Sequence, residues 1–283
     1  MSEERSISRR LMTIYAHPDD ESFSCAGTMA RATRLGYLVA AVCATRGEEG
    51  QIADPALATP DNLGQVREQE LRTAMAAVGV RDVVFLDYID GHLAEADHDE
   101  ALGKVVAQIR RFRPDVVLTF DPKGGYGHVD HMAIHRLAVE GVAAAADPAR
   151  FPEQLAQGAQ PHRVCKVYYS AFPRERMTQM RDEARARGED FMPGGDEATI
   201  PIEEMGFPMA EIRTVVTLND EEFAAKLAAV SAHKTQLPAD TPWSQATPEQ
   251  LRGFMGAETF VLAQPPISDG AYTMPEDDVF AGL

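Results

Sequence analysis

Short apolar runs alternate with longer stretches of helical period through the first half of the chain. LMTIYA (11–16), YLVAAVCA (37–44), DVVFLD (82–87) and DVVLTF (115–120) are too short for buried helices and read as buried strands. Between them lie segments with apolar residues on one helical face, at 21–35, 64–78 and 98–112, the last stopping before Pro114. A further helix is expected over 130–146. Strands alternating with helices imply parallel βαβ units. The predicted fold is α/β: a Rossmann-like, doubly wound and mostly parallel sheet.

The pattern loosens after residue 147. DPARFPEQLAQGAQP (147–161) reads as a linker, VCKVYYSAF (164–172) as a strand and 174–187 as a charged helix. Residues 188–210 form a loop rich in Gly, Pro and Met; EIRTVVTL (211–218) is another strand. NDEEFAAKLAAVSAHKTQ (219–236) opens a helix with a capping signal, Asn219 followed by Glu222. No element is assigned to the last thirty residues. The expected organisation is one domain over 1–283, with its core at 11–146 and a C-terminal α/β extension at 147–283 that completes the sheet and the pocket wall.

Charge narrows the functional classes. With 27 Lys plus Arg against 44 Asp plus Glu the formal net charge is −17. Nucleic-acid phosphates and anionic membranes call for a basic surface, so neither is an expected partner. The three cysteines are well separated, and no CxxC pair offers a thiolate metal site. The charged N-terminus, MSEERSISRR, leads into only a few apolar residues, and no apolar run approaches spanning length. A cytoplasmic location is expected.

Ligands of an open parallel sheet bind beyond the carboxyl ends of its strands. The first four strands run into HPDDE, TRGEEG, DYIDGH and DPKGGYGHVDH, in that order. Every His, Asp and Glu cluster of the first half therefore falls on one edge. His17, Asp19 and Asp20 come from the first cluster; His128, Asp130 and His131 come from the fourth. Imidazole plus carboxylate suits a catalytic zinc or similar divalent ion. A cation would also neutralise the crowded acids. Two consecutive acids can divide labour, one ligating and one acting as base. The competing reading is that Asp19 and Asp20 only cap the following helix. His135, one turn beyond His131, reads as structural. GxGxxG, GxxxxGK[ST] and GxSxG patterns are absent.

AHPDDE after the first strand, GEEG after the second and HVDH after the fourth, with AHKTQ at 232–236, together resemble the LmbE-like (PIG-L) de-N-acetylase family, nearest its mycothiol-pathway branch. The resemblance spans about 11–145 and implies a zinc-dependent hydrolase, with iron(II) as the other metal. It places His17, Asp20 and His131 as metal ligands, Asp19 as general base and His128 as acid or electrostatic stabiliser. Tyr126 would help hold the oxyanion. Arg67 and Asp90 fall where sugar hydroxyls are held, and Glu48 and His233 are further pocket residues. The implied reaction removes an N-acyl group, foremost acetyl, from an amino-sugar derivative, a small-molecule partner. Alternatives are an amidase for larger acyl groups such as cysteinyl conjugates, a phosphoesterase, and a non-catalytic sugar-binding protein. A homo-oligomer is compatible with the sequence.

Overall fold

A computed structural model describes residues 8–188, 190–238, 246–265 and 275–283. The chain order is β1 (Arg10–Tyr15), α1 (Asp20–Arg34), β2 (Leu38–Thr45), α2 (Leu63–Ala77), β3 (Asp82–Tyr88), α3 (His98–Phe112) and β4 (Val116–Thr119). A single helical turn, α4 (Gly124–Gly127), precedes α5 (Val129–Ala146) and the short α6 (Pro152–Ala156). Then come β5 (Lys166–Ala171), α7 (Arg174–Ala186), β6 (Thr214–Thr217), α8 (Asp220–Ala232), α9 (Pro248–Met255) and β7 (Ala257–Gln264).

The seven strands lie in the order β3-β2-β1-β4-β5-β7-β6. β1 to β5 pair in parallel, whereas β7 runs antiparallel to both β5 and β6. The sheet is α/β and mostly parallel, as the alternation predicted. β1 and β4 are buried almost throughout, since helices cover both faces of a parallel sheet. α3 is capped by Asp97, whose side chain accepts from the Glu100 N–H at 2.9 Å. It ends at Arg113, in the left-handed region just before Pro114. The capping box of α8 is present: Asn219 accepts from the Glu222 N–H at 2.9 Å, and Glu222 returns the bond at 3.0 Å.

Strand order fixes where the site lies. From β1 the chain winds outward through β2 to β3, then returns to the other side of β1 to place β4. The winding reverses between β1 and β4, and a crevice opens there at their carboxyl ends. HPDDE follows β1 and HVDH follows the β4 loop, so both motifs meet at this crevice.

β7 falls in the stretch to which the sequence pattern assigns no element. It alternates along its length, with Glu258, Phe260 and Leu262 facing the core. A carboxylate on the buried side of a short strand breaks the apolar rhythm that would have marked it. Residues 211–213, expected to open β6, lie outside the strand, which begins at Thr214.

Candidate active site

Asp19 has φ 127, a conformation that costs a non-glycine residue energy and persists where surrounding contacts impose it. It occupies the N-cap position of α1, yet its side chain caps nothing there. Its carboxylate instead faces Arg67 Nη2 at 3.3 Å. Asp20 Oδ2 accepts the backbone N–H of His17 at 2.7 Å, turning the other carboxylate oxygen toward His131. Helix capping therefore does not account for the two acids.

Three donor groups converge across the crevice. His17 Nδ1 lies 3.1 Å from His131 Nε2 and 3.7 Å from Asp20 Oδ2, and His131 Nε2 lies 3.4 Å from Asp20 Oδ1. A tetrahedral ion with bonds of about 2.0–2.1 Å separates its donors by about 3.4 Å; the two ring nitrogens stand near that spacing, and Asp20 approaches His17 through Oδ2 and His131 through Oδ1. Each ring is oriented from behind. His131 donates Nδ1–H to the Gly124 carbonyl at 3.1 Å and stacks on Phe120. A side chain at Gly124 would meet His131 Cβ at 2.7 Å, and its φ is +63, so only glycine suits this approach.

His17 has carboxylates on its other edge. Nε2 lies 2.9 Å from Asp90 and 3.4 Å from Asp130. Asp130 is itself fixed by the N–H groups of Gly91 and Leu93, at 2.7 and 3.1 Å. Among the described residues two groupings meet the geometry of a cation site, His17 with His128 and His131 and His17 with Asp90 and Asp130, and neither contains Asp20. The second surrounds Nε2, whose hydrogen bonds to the acids leave Nδ1 to face the first. The carboxylates of Asp90 and Asp130 are thus the outer partners of a histidine aimed at the crevice.

Burial and neighbouring charge shift the titration of these groups. Burial pushes the His17 pKa down, but hydrogen bonds to Asp130 and Asp90 and the charge of Asp20 outweigh it and raise it to about 10. Burial and the charges of His17 and His128 hold His131 well below the usual imidazole range. Burial raises Asp19, while Arg67 and His17 pull it back. In the metal-free protein the imidazolium of His17 is a positive charge among these acids.

His128 and Tyr126 stand over the crevice. His128 Nδ1 accepts the Asp130 N–H at 3.2 Å, which leaves Nε2 to carry the hydrogen of the neutral ring. Burial and the charge of His17 lower its pKa, keeping it neutral. The Tyr126 ring lies 5.0 Å from that of His131, and its hydroxyl is 3.5 Å from Glu197 Oε2.

The remaining expected residues are placed less directly. Arg67 is buried and donates to the Gly47 and Pro18 carbonyls at 3.0 and 2.8 Å. Asp90 is also buried, its carboxylate turned to His17. Glu48 accepts from the N–H groups of Arg46 and Asp90, at 3.2 and 3.3 Å, and ties two loops together. His233, expected as a pocket residue, is fully buried and bonds Ser22 of α1 at 2.9 Å. Its motif braces the site from behind, with Thr235 bonded to Glu70 of α2 at 2.9 and 2.6 Å. His135 turns away and donates to the Phe120 carbonyl at 2.8 Å.

Two residues received no role from the sequence. Asp130 stands between the two histidines, and its place in the first turn of a helix was the available signal. Glu197 comes from the loop over 188–210, which carries no motif. A small apolar cluster of Met177, Ile202 and Met205, with Tyr126 packed against it, seats that loop beside the crevice. Thr199 Oγ1 donates to the Gly127 carbonyl at 2.7 Å and fixes the junction.

Comparison with known proteins decides the family. Residues 12–142 match PIG-L, described as GlcNAc-PI de-N-acetylase. A 1D-myo-inositol 2-acetamido-2-deoxy-alpha-D-glucopyranoside deacetylase of Streptomyces avermitilis is 38% identical, covering 97% of both chains. The chain belongs to the PIG-L de-N-acetylase family. A Thermobispora bispora deacetylase of the same description is 36% identical over 97% of this chain and 99% of its own. The N,N'-diacetylchitobiose deacetylase of Pyrococcus horikoshii shares the fold, with TM-score 0.66 and 22% identity over 90% of this chain and 84% of that one. This PIG-L protein is an enzyme, a hydrolase of the deacetylase class, with a His/Asp site able to hold a metal. Among the described residues no helix is long and apolar enough to cross a membrane.

Proposed function

We propose that this PIG-L protein is a zinc-dependent deacetylase that hydrolyses the acetamide of a 2-acetamido-2-deoxy-glucopyranosyl inositol. One observation carries the reading: His17 Nδ1 and His131 Nε2 lie 3.1 Å apart, with an oxygen of Asp20 within 3.7 Å of each, beside a strained Asp19 whose side chain makes no capping bond. Full-length similarity to deacetylases of that substrate supports the same choice.

His17 Nδ1, His131 Nε2 and one Asp20 oxygen would hold the ion. When bound, zinc supplies a Lewis acid for the acyl oxygen and makes water acidic enough to attack near neutral pH. Asp19 takes the proton from the attacking water, with Arg67 holding its carboxylate in place. The Tyr126 hydroxyl and His128 Nε2–H donate to the oxygen that becomes negative, an effect worth about 10²–10³ in rate for one donor. Asp19 then delivers its proton to the departing nitrogen as the C–N bond breaks. The products are acetate and the free amino sugar.

The test is release of primary amine from that glycoside by purified protein, as isolated, chelated, and resupplied with zinc or iron(II). Activity should vanish on chelation and return with metal. A metal-loaded protein that releases no amine from it would reject the assignment.

A further inference from the structure

Helix α1 carries Asp20 on its first turn, and the helix is broken. Cys25 has φ −150 and ψ 18, outside the helical region. In an unbroken helix the Gly27 N–H would bond the Phe23 carbonyl. Gly27 N–H donates instead to Glu258 Oε1 at 2.8 Å. The Phe23 carbonyl accepts from Lys226 Nζ at 2.7 Å, and Lys226 reaches Glu258 Oε1 at 2.6 Å. Lys226 and Glu258 thus stand in place of one rung of the helical ladder. Thr28 adds its N–H and hydroxyl to Glu258 Oε2, at 2.7 and 2.6 Å.

Both ions are 2% exposed. A straight helix with apolar neighbours would satisfy the same backbone groups without burying two charges, so the pair is a poor device for stability alone. Its best-attested use is to specify a geometry. The signs suit the ends they meet: the ammonium lies at the carbonyl end of the first segment and the carboxylate at the N–H end of the second. The break sets the direction of residues 20–24 independently of the long segment that packs under the sheet. On the short segment sit Asp20, 3.4 Å from His131 Nε2, and Ser22, bonded to His233.

We propose that Lys226 and Glu258 are positioning residues that hold the break in α1 and so aim Asp20 at the metal site. The inference rests on the proposed metal site. Its test is zinc affinity by chelator competition, with kcat and KM on the same samples, for the double variant Lys226→Met/Glu258→Leu, the single variants Lys226→Met and Lys226→Arg, and Asp20→Ala. The double variant should keep its native circular dichroism, lose zinc affinity and kcat by about tenfold or more, and leave KM unchanged. Lys226→Arg, which keeps the charge, should retain more zinc affinity than Lys226→Met. A folded double variant with zinc affinity and kcat within about twofold of native overturns the proposal, as does one that fails to fold, which would assign the pair to stability. Asp20→Ala separates the two levels. If it binds zinc normally, the metal site itself is misassigned; if it loses zinc while the double variant keeps it, only the positioning role falls.

Discussion

Asp90 Oδ1 lies 2.9 Å from His17 Nε2, and this contact decides which edge of the imidazole faces the crevice. The ring can present only one lone pair when neutral, and the hydrogen held toward Asp90 leaves that pair on Nδ1. A residue that the family resemblance set against sugar hydroxyls thus has its carboxylate turned to the histidine proposed as a metal ligand.

Asp90→Ala should therefore weaken metal binding by about 10–100-fold, the usual cost of losing an outer partner. A role confined to sugar binding would raise KM and leave the metal in place. Metal content and KM measured together distinguish the two.

Asp19 and Asp20 should fail differently. Asp20→Ala removes a donor 3.4 Å from His131 Nε2, so metal and activity should fall together. Asp19→Asn should keep its metal while kcat drops by about 10²–10⁴. Near-normal turnover in Asp19→Asn would eliminate it as the base.

Arg67→Met should move the acid limb of the kcat/KM profile to higher pH. Burial raises the Asp19 pKa and Arg67 is the largest influence pulling it down. Without the guanidinium the carboxylate stays protonated to a higher pH, and a base works only when ionised. An unmoved limb would mean that Asp19 is not the group titrating there.

Metal binding should release at least one proton. In the metal-free protein His17 remains protonated up to a pH of about 10, and ligation needs its neutral ring. Affinity should then rise about tenfold per pH unit through the neutral range. Chelator competition at several pH values measures the slope, and a flat response would remove His17 from the ligand set.

The sequence by itself determined the strands of the first half and the edge on which their polar clusters fall. It also picked out His17, Asp19, Asp20, His128 and His131, because apolar period and clustered charge are local properties. Only the tertiary structure decided how those groups face one another. Asp90 and Asp130 meet His17 because β1, β3 and the start of α5 converge at one edge, and no spacing along the chain encodes that distance. His233 shares a motif with the site yet lies behind α1, since depth depends on how α8 packs. Glu197 comes from a loop seated by its own small apolar cluster. Glu258 hides a strand from its pattern for a tertiary reason: its carboxylate is buried to complete a helix more than two hundred residues earlier in the chain.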